Sequence, residues 1–437
     1  MDFGNAVSEI RKAEKIRIIS HYDCDGLCSA AILKKALERE GKEFSIEIAK
    51  QIDSELISKL ENAEEDLLIF SDLGSGYLEF LEKINKKIIV LDHHQPSKER
   101  VGKNIEHINP ILENKILCGA GIAFLLATKL DISNKDLVDL AIVGAIGDNQ
   151  VFEGENKNLV TYAKRLGRIR IQKGLNVFGW VNRPLHKALV YSNIHPFYRD
   201  ESKVVQFLSD IGINLIDESG NFRSMLDLSE REKLILHEEL LKEILASGRK
   251  IPENIFKKAI ILENYPKIIS DASELATILN ACGRLERYED SFSILEGDVS
   301  LVEEIMFEYK KRIKGYLDWV EKNKANFPAS EKGFYIVARD NIHENFIGTI
   351  TSICLSSNMV KKDVILGFAN TSKSDVKISA RKRQSFRVNL GELISRVCEE
   401  FGGFGGGHKE AAGGNIPAGK EYEFIKIFDS LINGEEG

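Results

Sequence analysis

The pattern of apolar and polar positions changes period along the chain. In the first third, short apolar runs alternate with amphipathic stretches. Lys15–Ser20, Phe44–Ala49, Leu67–Asp72 and Lys87–Asp92 carry the dense β-branched and aliphatic content of strands. Ser29–Glu40 has helical spacing and stops at Gly41, while Gly119–Leu130 and Asn134–Asp148 read as buried or half-buried helices. Strands that alternate with helices predict a doubly wound, mostly parallel sheet, and these strands are apolar enough to be covered on both faces. From about Leu185 the chain becomes helix-rich, with long periodic segments at Leu228–Ser247 and Ser300–Asn323. A second α/β pattern begins near Lys332: "GFYIVARD" and "DVILGFAN" predict strands, "KISARKR" a strand end, and Asn389–Phe401 a helix that the glycine run Gly402–Gly407 terminates. The expectation is an α/β protein with three parts. Residues 1–185 form the N-terminal sheet domain, 186–331 a helical connector or inserted layer, and 332–437 a smaller C-terminal α/β domain.

Composition narrows the function classes. The 437 residues are 43% hydrophobic, with a formal net charge of −7 and a pI near 5.9. That balance argues against a protein that coats nucleic acid through bulk charge, although a local basic groove remains compatible with it. Six cysteines are scattered without CxxC spacing, as expected of reduced thiols in the cytoplasm. No apolar run is long enough to span a bilayer and the N-terminal residues contain no signal-peptide core, so no membrane association is expected.

Chemistry collects where the predicted strands end. "RIIS" runs into His21, Asp23 and Asp25; "LLIFS" into Asp72; "KIIVL" into Asp92, His93 and His94; and the helix "LAIVGAIG" into Asp148. Ligands of an open parallel sheet bind at the carboxyl ends of its strands. Carboxylates grouped there repel one another unless cations neutralise them. Mixed carboxylate and imidazole donors suit manganese, zinc or iron(II), and magnesium less strongly. The donor count exceeds what one ion with open positions needs and fits two, about 3.5–4 Å apart, which is the arrangement that activates water for phosphoryl displacement. Singly, each residue has a plainer explanation: a helix N-cap for Asp72, a turn at Asp25–Gly26, a structural histidine, a cap at Asp148. The joint pattern favours a metal site that hydrolyses a phosphate ester or anhydride.

These residues carry a family resemblance. "HYDCDG", the Asp of "SDLGSG", "DHH" and "GAIGD" resemble, in order and spacing, the four motifs of DHH-superfamily phosphoesterases. "GGFGGGHKEAAGG" (Gly402–Gly414) resembles the glycine–histidine motif of their associated C-terminal domain, and "SELATILNACGR" (Ser273–Arg284) a pattern of the RecJ-like branch, most similar to archaeal RecJ-like nucleases. The resemblance implies that Asp23, Asp25, Asp72, His93 and Asp148 are metal ligands. His21 occupies a position that is His in several branches of the family and acidic in bacterial RecJ. The resemblance further implies that Asp92 orients the site, that His94 faces substrate phosphate, and that two divalent ions, manganese first and magnesium as the alternative, activate the attacking water.

The substrate side is expected in the C-terminal part. Gly405, Gly406 and Gly407 could turn successive backbone N–H groups toward an anion, with His408 at the rim; the plainer alternative is a helix C-cap and turn. Between Thr371 and Arg387 there are six basic residues and one acid. Strand alternation puts Lys377, Ser379 and Arg381 on one face, which is preferred over Lys382 as a phosphate track. Arg183 resembles a basic residue that the family places near the scissile phosphate. The basic run Lys164–Lys173 reads as a cleft flank or an exposed helix, and Phe178, Trp180 and Tyr191 as base-stacking groups or core. The expected function is exonucleolytic cleavage of single-stranded DNA or RNA. A phosphodiesterase of short oligonucleotides or cyclic dinucleotides is the nearest rival, a catalytically silent replisome scaffold is a rival of another class, and a pyrophosphatase fits less well. A replisome component or helicase as partner, and a homo-oligomer, are family-level expectations; the sequence does not decide polarity or sugar preference.

Overall fold

The computed structural model describes residues 1–192, 200–252, 254–357, 359–372 and 374–434. It divides into two compact units, Met1–Val302 and Glu303–Gly437. Among the described residues no helix is long and apolar enough to cross a membrane. All six cysteines are buried and unpaired.

The first unit is built on a parallel sheet of β1 (Lys15–His21), β2 (Glu43–Ala49), β3 (Leu67–Ser71), β4 (Lys87–Leu91) and β5 (Ile105–Ile108), in the order β2-β1-β3-β4-β5. The central strand β3 is buried at every position, as an apolar run covered on both faces should be. One face packs Ile19, Leu68, Phe70 and Val90 against Leu56, Leu60, Leu78 and Leu81 of two short helices. The other face carries the helices Cys24–Arg39 and Gly119–Leu130, which also pack against Val138–Gly147. Ser20 pairs with Ser71, and Ser71 with Leu91, so β1, β3 and β4 end level with one another. Whatever follows each strand is therefore delivered to the same edge of the sheet.

The expected doubly wound parallel sheet and helical connector are present, with differences in detail. Strand β5 is an addition to the expected set, because its "IEHI" is too short and too polar to stand out. The Cys24–Arg39 helix begins five residues before the expected Ser29, so Asp25–Gly26 lies in its first turn and not in a loop. The basic run Lys164–Lys173 is no single exposed helix: a helix ends at Arg165 and β6 (Ile169–Leu175) follows, paired antiparallel with β7 (Phe256–Leu262). Arg168 and Arg170 are tied to Asp139 and Glu263, which neutralises part of that run. Trp180 is fully buried in the core of this region and donates its indole N–H to the Leu175 carbonyl at 2.8 Å. It is core and not a stacking platform, and its burial stabilises by roughly 2–3 kcal/mol.

The second unit holds a mixed sheet of β8 (Gly333–Arg339), β9 (Val364–Asn370), β10 (Asp375–Lys382), β11 (Phe404–Gly407) and β12 (Ala411–Pro417), ordered β11-β12-β10-β9-β8. Only β8 and β9 pair in parallel. The helices Leu390–Glu400 and Glu421–Gly434 bury Ile394, Val397, Phe424 and Phe428 against one face; Glu344–Ser356 packs against β9 and β10. The glycine run departs from expectation. Gly402 closes the preceding helix at φ +69, but Phe404–Gly407 then continue as an edge strand. In a strand successive N–H groups point to opposite edges, so Gly405–Gly407 do not form the concave anion nest that glycine content suggested.

Candidate metal centre

Four chain segments bring their polar ends together at the level edge of the parallel sheet. Asp23 caps the Cys24–Arg39 helix, its Oδ1 accepting the Gly26 N–H at 3.1 Å. Asp25, in the first turn of the helix, points inward. Its carboxylate accepts the N–H groups of Gly119 at 2.7 Å and Ala120 at 2.9 Å, at the start of the neighbouring helix. A carboxylate there is stabilised by otherwise unpaired helix N–H groups. Asp72 follows β3 at φ +60, a left-handed conformation that Asp tolerates better than most residues. Such a kink at a strand end re-aims the side chain, and it is kept only where the surroundings over-determine it.

His93 is the hub. Its Nε2 lies 3.1 Å from Asp72 Oδ1, 3.6 Å from Asp25 Oδ2 and 3.6 Å from Asp148 Oδ2. His21 Nδ1 lies 3.0 Å from Asp23 Oδ2 and 3.7 Å from Asp72 Oδ2. Three overlapping donor groups result: Asp72–His93–His94, His21–Asp23–Asp72 and Asp25–His93–Asp148, the donor atoms of each within 4.8 Å of one another. Asp72 belongs to two of them, and so does His93.

The electrostatics match a site built around positive charge. Burial raises the Asp25 carboxyl well above its ordinary range, and the nearby Asp72 charge adds to the effect. Burial also raises Asp148. Burial disfavours the charged form of His93, but the hydrogen bond and charge of Asp72 with the charges of Asp148 and Asp25 together outweigh it and hold the ring at a pKa of about 10. His21 is raised against its burial by Asp23, and Asp23 is lowered against its own burial by His21. In the absence of metal, protons on the imidazoles thus supply the positive charge that the carboxylates require. His21 Nδ1 is buried and faces the Asp23 and Asp72 carboxylates without a well-aligned hydrogen bond to either, a placement that suits a ligand atom. The donor set fits divalent cations.

Asp92 and His94 stand slightly apart. Asp92 is 1% exposed and accepts from Ser75 N at 2.8 Å, His93 N at 2.8 Å and His94 Nδ1 at 2.7 Å. His94 is 45% exposed. Asp92 is a fixed acceptor whose carboxyl is lowered by His94 despite burial, and it sets the orientation of the one exposed imidazole of the group.

Several supporting residues carry no signal in the sequence. Gln150 Nε2 sits 3.0 Å from His93 Nδ1 and donates to Asp148 Oδ2 at 2.9 Å; its own oxygen accepts from Asn156 at 2.7 Å. Such partners fix the orientation of ligating side chains. Asn109 donates to Ser75 Oγ and to the His94 carbonyl, and Ser75 Oγ contacts His107 Nε2 at 2.9 Å. His107 and Asn109 lie on or just after the additional strand β5. The nearness of Gln150 to Asp148, two residues apart, is the one local hint among these partners. The Ala272–Arg284 helix also supports the site. Asn280 Oδ1 accepts the Cys24 N–H at 3.2 Å, and a Cβ on Gly283 would overlap the Tyr22 carbonyl oxygen, so only glycine lets this helix approach the His21–Asp25 turn.

The remaining expected residues are not in this cluster. Arg183 lies between two aromatic rings, 5.3 Å from the Phe178 centroid and 5.7 Å from that of Tyr191, both exposed. Lys377, Ser379, Arg381, Gly405, Gly406, Gly407 and His408 belong to the second unit. Arg381 donates to Ser352 at 3.0 Å and to Ser379 at 3.2 Å, which fixes its guanidinium over β10. Lys382, on the opposite face, is 5% exposed and donates to the Phe386 carbonyl. His408 is exposed in the turn between β11 and β12, its backbone N–H donating to the Ala411 carbonyl at 2.8 Å.

Comparison with known proteins agrees with this geometry. Residues 15–145 match the N-terminal domain of the DHH family, and residues 332–434 match the DHHA1 domain. An uncharacterized protein of Methanocaldococcus jannaschii is 32% identical over 96% of this chain and 94% of its own length. This chain belongs to the DHH family. The single-stranded-DNA-specific exonuclease RecJ of Thermus thermophilus is 27% identical over 60% of this DHH chain, which spans 41% of that relative's length. The crystal structure of Thermus thermophilus RecJ in complex with Mn2+ superposes with a TM-score of 0.62 at 20% identity, over 98% of this chain and 54% of that one. At that identity the likeness is one of fold. As a DHH protein with a RecJ-like fold, the chain has the metal-site architecture typical of the family's phosphoesterases.

Proposed function

We propose that this DHH protein is a metal-dependent exonuclease that hydrolyses phosphodiester bonds of single-stranded DNA or RNA. The observation that carries the reading is the convergence of Asp25, Asp72 and Asp148 on His93, each with a carboxylate oxygen 3.1–3.6 Å from its Nε2, beside an exposed His94 held by Asp92. His21, Asp23, Asp25, Asp72, His93 and Asp148 would hold two divalent ions, with manganese the first candidate and magnesium the second. When bound, such ions supply a nucleophilic water at neutral pH and charge stabilisation for the phosphoryl oxygens.

The chain's own residues do the rest. Asp92 fixes the His94 ring so that Nε2 can donate to a non-bridging phosphate oxygen as negative charge accumulates. Gln150 and Asn156 hold His93 and Asp148 in place, so that the donor set does not rearrange during turnover. In the second unit, Lys377, Ser379, Arg381 and His408 would grip backbone phosphate, and the side-chain-free surface at Gly406 allows close approach. Arg183, between its two aromatic rings, is a further cationic contact. The RecJ-like likeness supports a polynucleotide substrate over pyrophosphate.

A time course on single-stranded DNA and RNA, each end-labelled at either end and supplied with manganese, tests the reading. A ladder or mononucleotide release from a long strand is expected, and the labelled end that is lost first reports polarity. Hydrolysis confined to dinucleotides would transfer the assignment to the short-substrate phosphodiesterase. No hydrolysis of either would leave the scaffold.

A further inference from the structure

The helix Val302–Asn323 carries a feature that the acidic site does not use. Val302, Ile305, Tyr309 and Val320 bury one side of it. On another side two adjacent rows, Glu308–Arg312–Tyr316 and Lys311–Gly315–Trp319, run along the axis at i, i+4 spacing. With Asn341 they line an open groove of about 560 Å³. The segment Lys310–Lys314 holds four cations and no acid. Arg312 pairs with Glu308 at 2.7 Å and lies over the Phe346 ring at 5.9 Å, with Tyr316 edge-on to the same ring at 5.4 Å. Among the described residues neither Lys311 nor Lys314 has an ion-pair partner. Trp319 is half-buried, its ring 5.5 Å from that of Phe327.

Gly315 has no role inside the fold. It sits in the interior of a 22-residue helix, where glycine is the poorest former after proline. A Cβ there would meet nothing within 4 Å, so no internal packing requires the glycine. It lies on the groove floor between Lys311 and Trp319. A glycine that costs helix stability without serving the fold is explained where another chain's backbone must come close.

We infer that this groove of the second unit binds single-stranded nucleic acid through residues other than those of the hydrolytic cluster, with phosphates on Lys311 and Arg312, a base stacked on Trp319, and Gly315 clearing the path. Cations interleaved with aromatic faces are the chemistry that holds an unpaired strand. The choice of a nucleic-acid occupant rests on the proposed function; the test does not pass through hydrolysis.

The chain has two tryptophans, and Trp180 is fully buried. In a Trp180→Phe background, Trp319 alone reports the groove. Oligothymidylate titrated into the full chain in chelator, without divalent metal, should quench that fluorescence saturably. Lys311→Gln should weaken binding several-fold and flatten the log K against log salt slope by about 0.7, the value of one phosphate contact on a single strand. Gly315→Leu should raise the helical content or melting temperature while weakening binding at least as much, a pairing that simple misfolding cannot produce. If Trp180→Phe itself misfolds, anisotropy of a labelled oligonucleotide with the wild-type chain replaces the quenching. Wild-type affinity in both Lys311→Gln and Gly315→Leu would overturn the inference. So would equal quenching by an acidic peptide, which would reassign the groove to protein. Loss of metal-dependent hydrolysis with the groove intact would instead count against the acidic site alone.

Discussion

The acidic edge of the first unit and the glycine strand of the second are the two densest signals in the chain, and they are built on opposite principles. At the acidic edge, side chains are the substance. Asp25, Asp72, Asp148 and His93 are driven into a space where their charges conflict, and the fold tolerates it by holding protons on the imidazoles. At the glycine strand, the absence of side chains is the substance. A Cβ on Gly405 would fall 2.8 Å from Ile394 Cγ2, and one on Gly403 would overlap the Asn415 carbonyl oxygen. There the glycines let a helix and a neighbouring strand close onto β11. Gly406 differs, because its Cβ would meet nothing. Polar clustering therefore reports chemistry more directly than glycine clustering does, since packing alone explains most of the glycines.

The largest expected effect breaks the acidic edge. Asp72→Ala removes the carboxylate shared by two of the three donor groups, and His93→Ala removes the imidazole shared by two. Each should lower metal-dependent hydrolysis on the order of 10³-fold. Each should also abolish the rise in melting temperature that manganese gives the wild-type chain, because an ion that binds only the folded state stabilises it by mass action. Near-wild-type turnover in either variant would refute the site. The corresponding glycine-strand variants should keep the manganese-induced shift.

A smaller effect concerns the protons at the same edge. In the metal-free chain His93 holds its proton to about pH 10, because Asp72, Asp148 and Asp25 together outweigh burial. An ion that takes His93 as a ligand must displace that proton. Below pH 10 the apparent metal affinity should therefore rise with pH, by about tenfold per unit for each proton released. Calorimetric titration of manganese in buffers of different ionisation enthalpy would count those protons. A pH-independent affinity between about pH 6 and 9 would remove His93 from the ligand set.

Much of this was legible in the sequence, and the limits were physical. The strand ends could be read because an apolar run that stops at Asp or His is a local pattern. That His21, Asp72 and His93 share one edge follows from the rule that parallel strands end together; Asp148 ends a helix and lies outside that rule. The supports could not be read. Gln150 and Asn109 act through contacts with residues far along the chain, and a lone amide carries no sequence signal. Strand β5 is too short and β6 too basic for periodicity to register. The conformation of the glycine run is not legible in the sequence, because composition records that side chains are missing, not which neighbour requires it.

The smallest effect separates two glycines one residue apart. Gly405→Ala places a methyl against Ile394 and Cys398 Sγ, atoms of a packed helix with little room to give. Overpacking of that kind costs about 1–3 kcal/mol, so the melting temperature of the second unit should fall by several degrees. Gly406→Ala meets open space and should change stability by no more than about 0.5 kcal/mol. Gly406 pairs across the ladder with Gly413, and Gly413 with Ser379, so all three share one sheet face with Lys377 and Arg381. If that face receives substrate, Gly406→Ala should raise the KM for a long strand a few-fold while leaving the fold intact, and Gly405→Ala should act mainly through stability. Equal loss of stability in both variants would mean that the whole glycine strand serves packing, and the phosphate grip would then have to be sought in Arg381 and His408 alone.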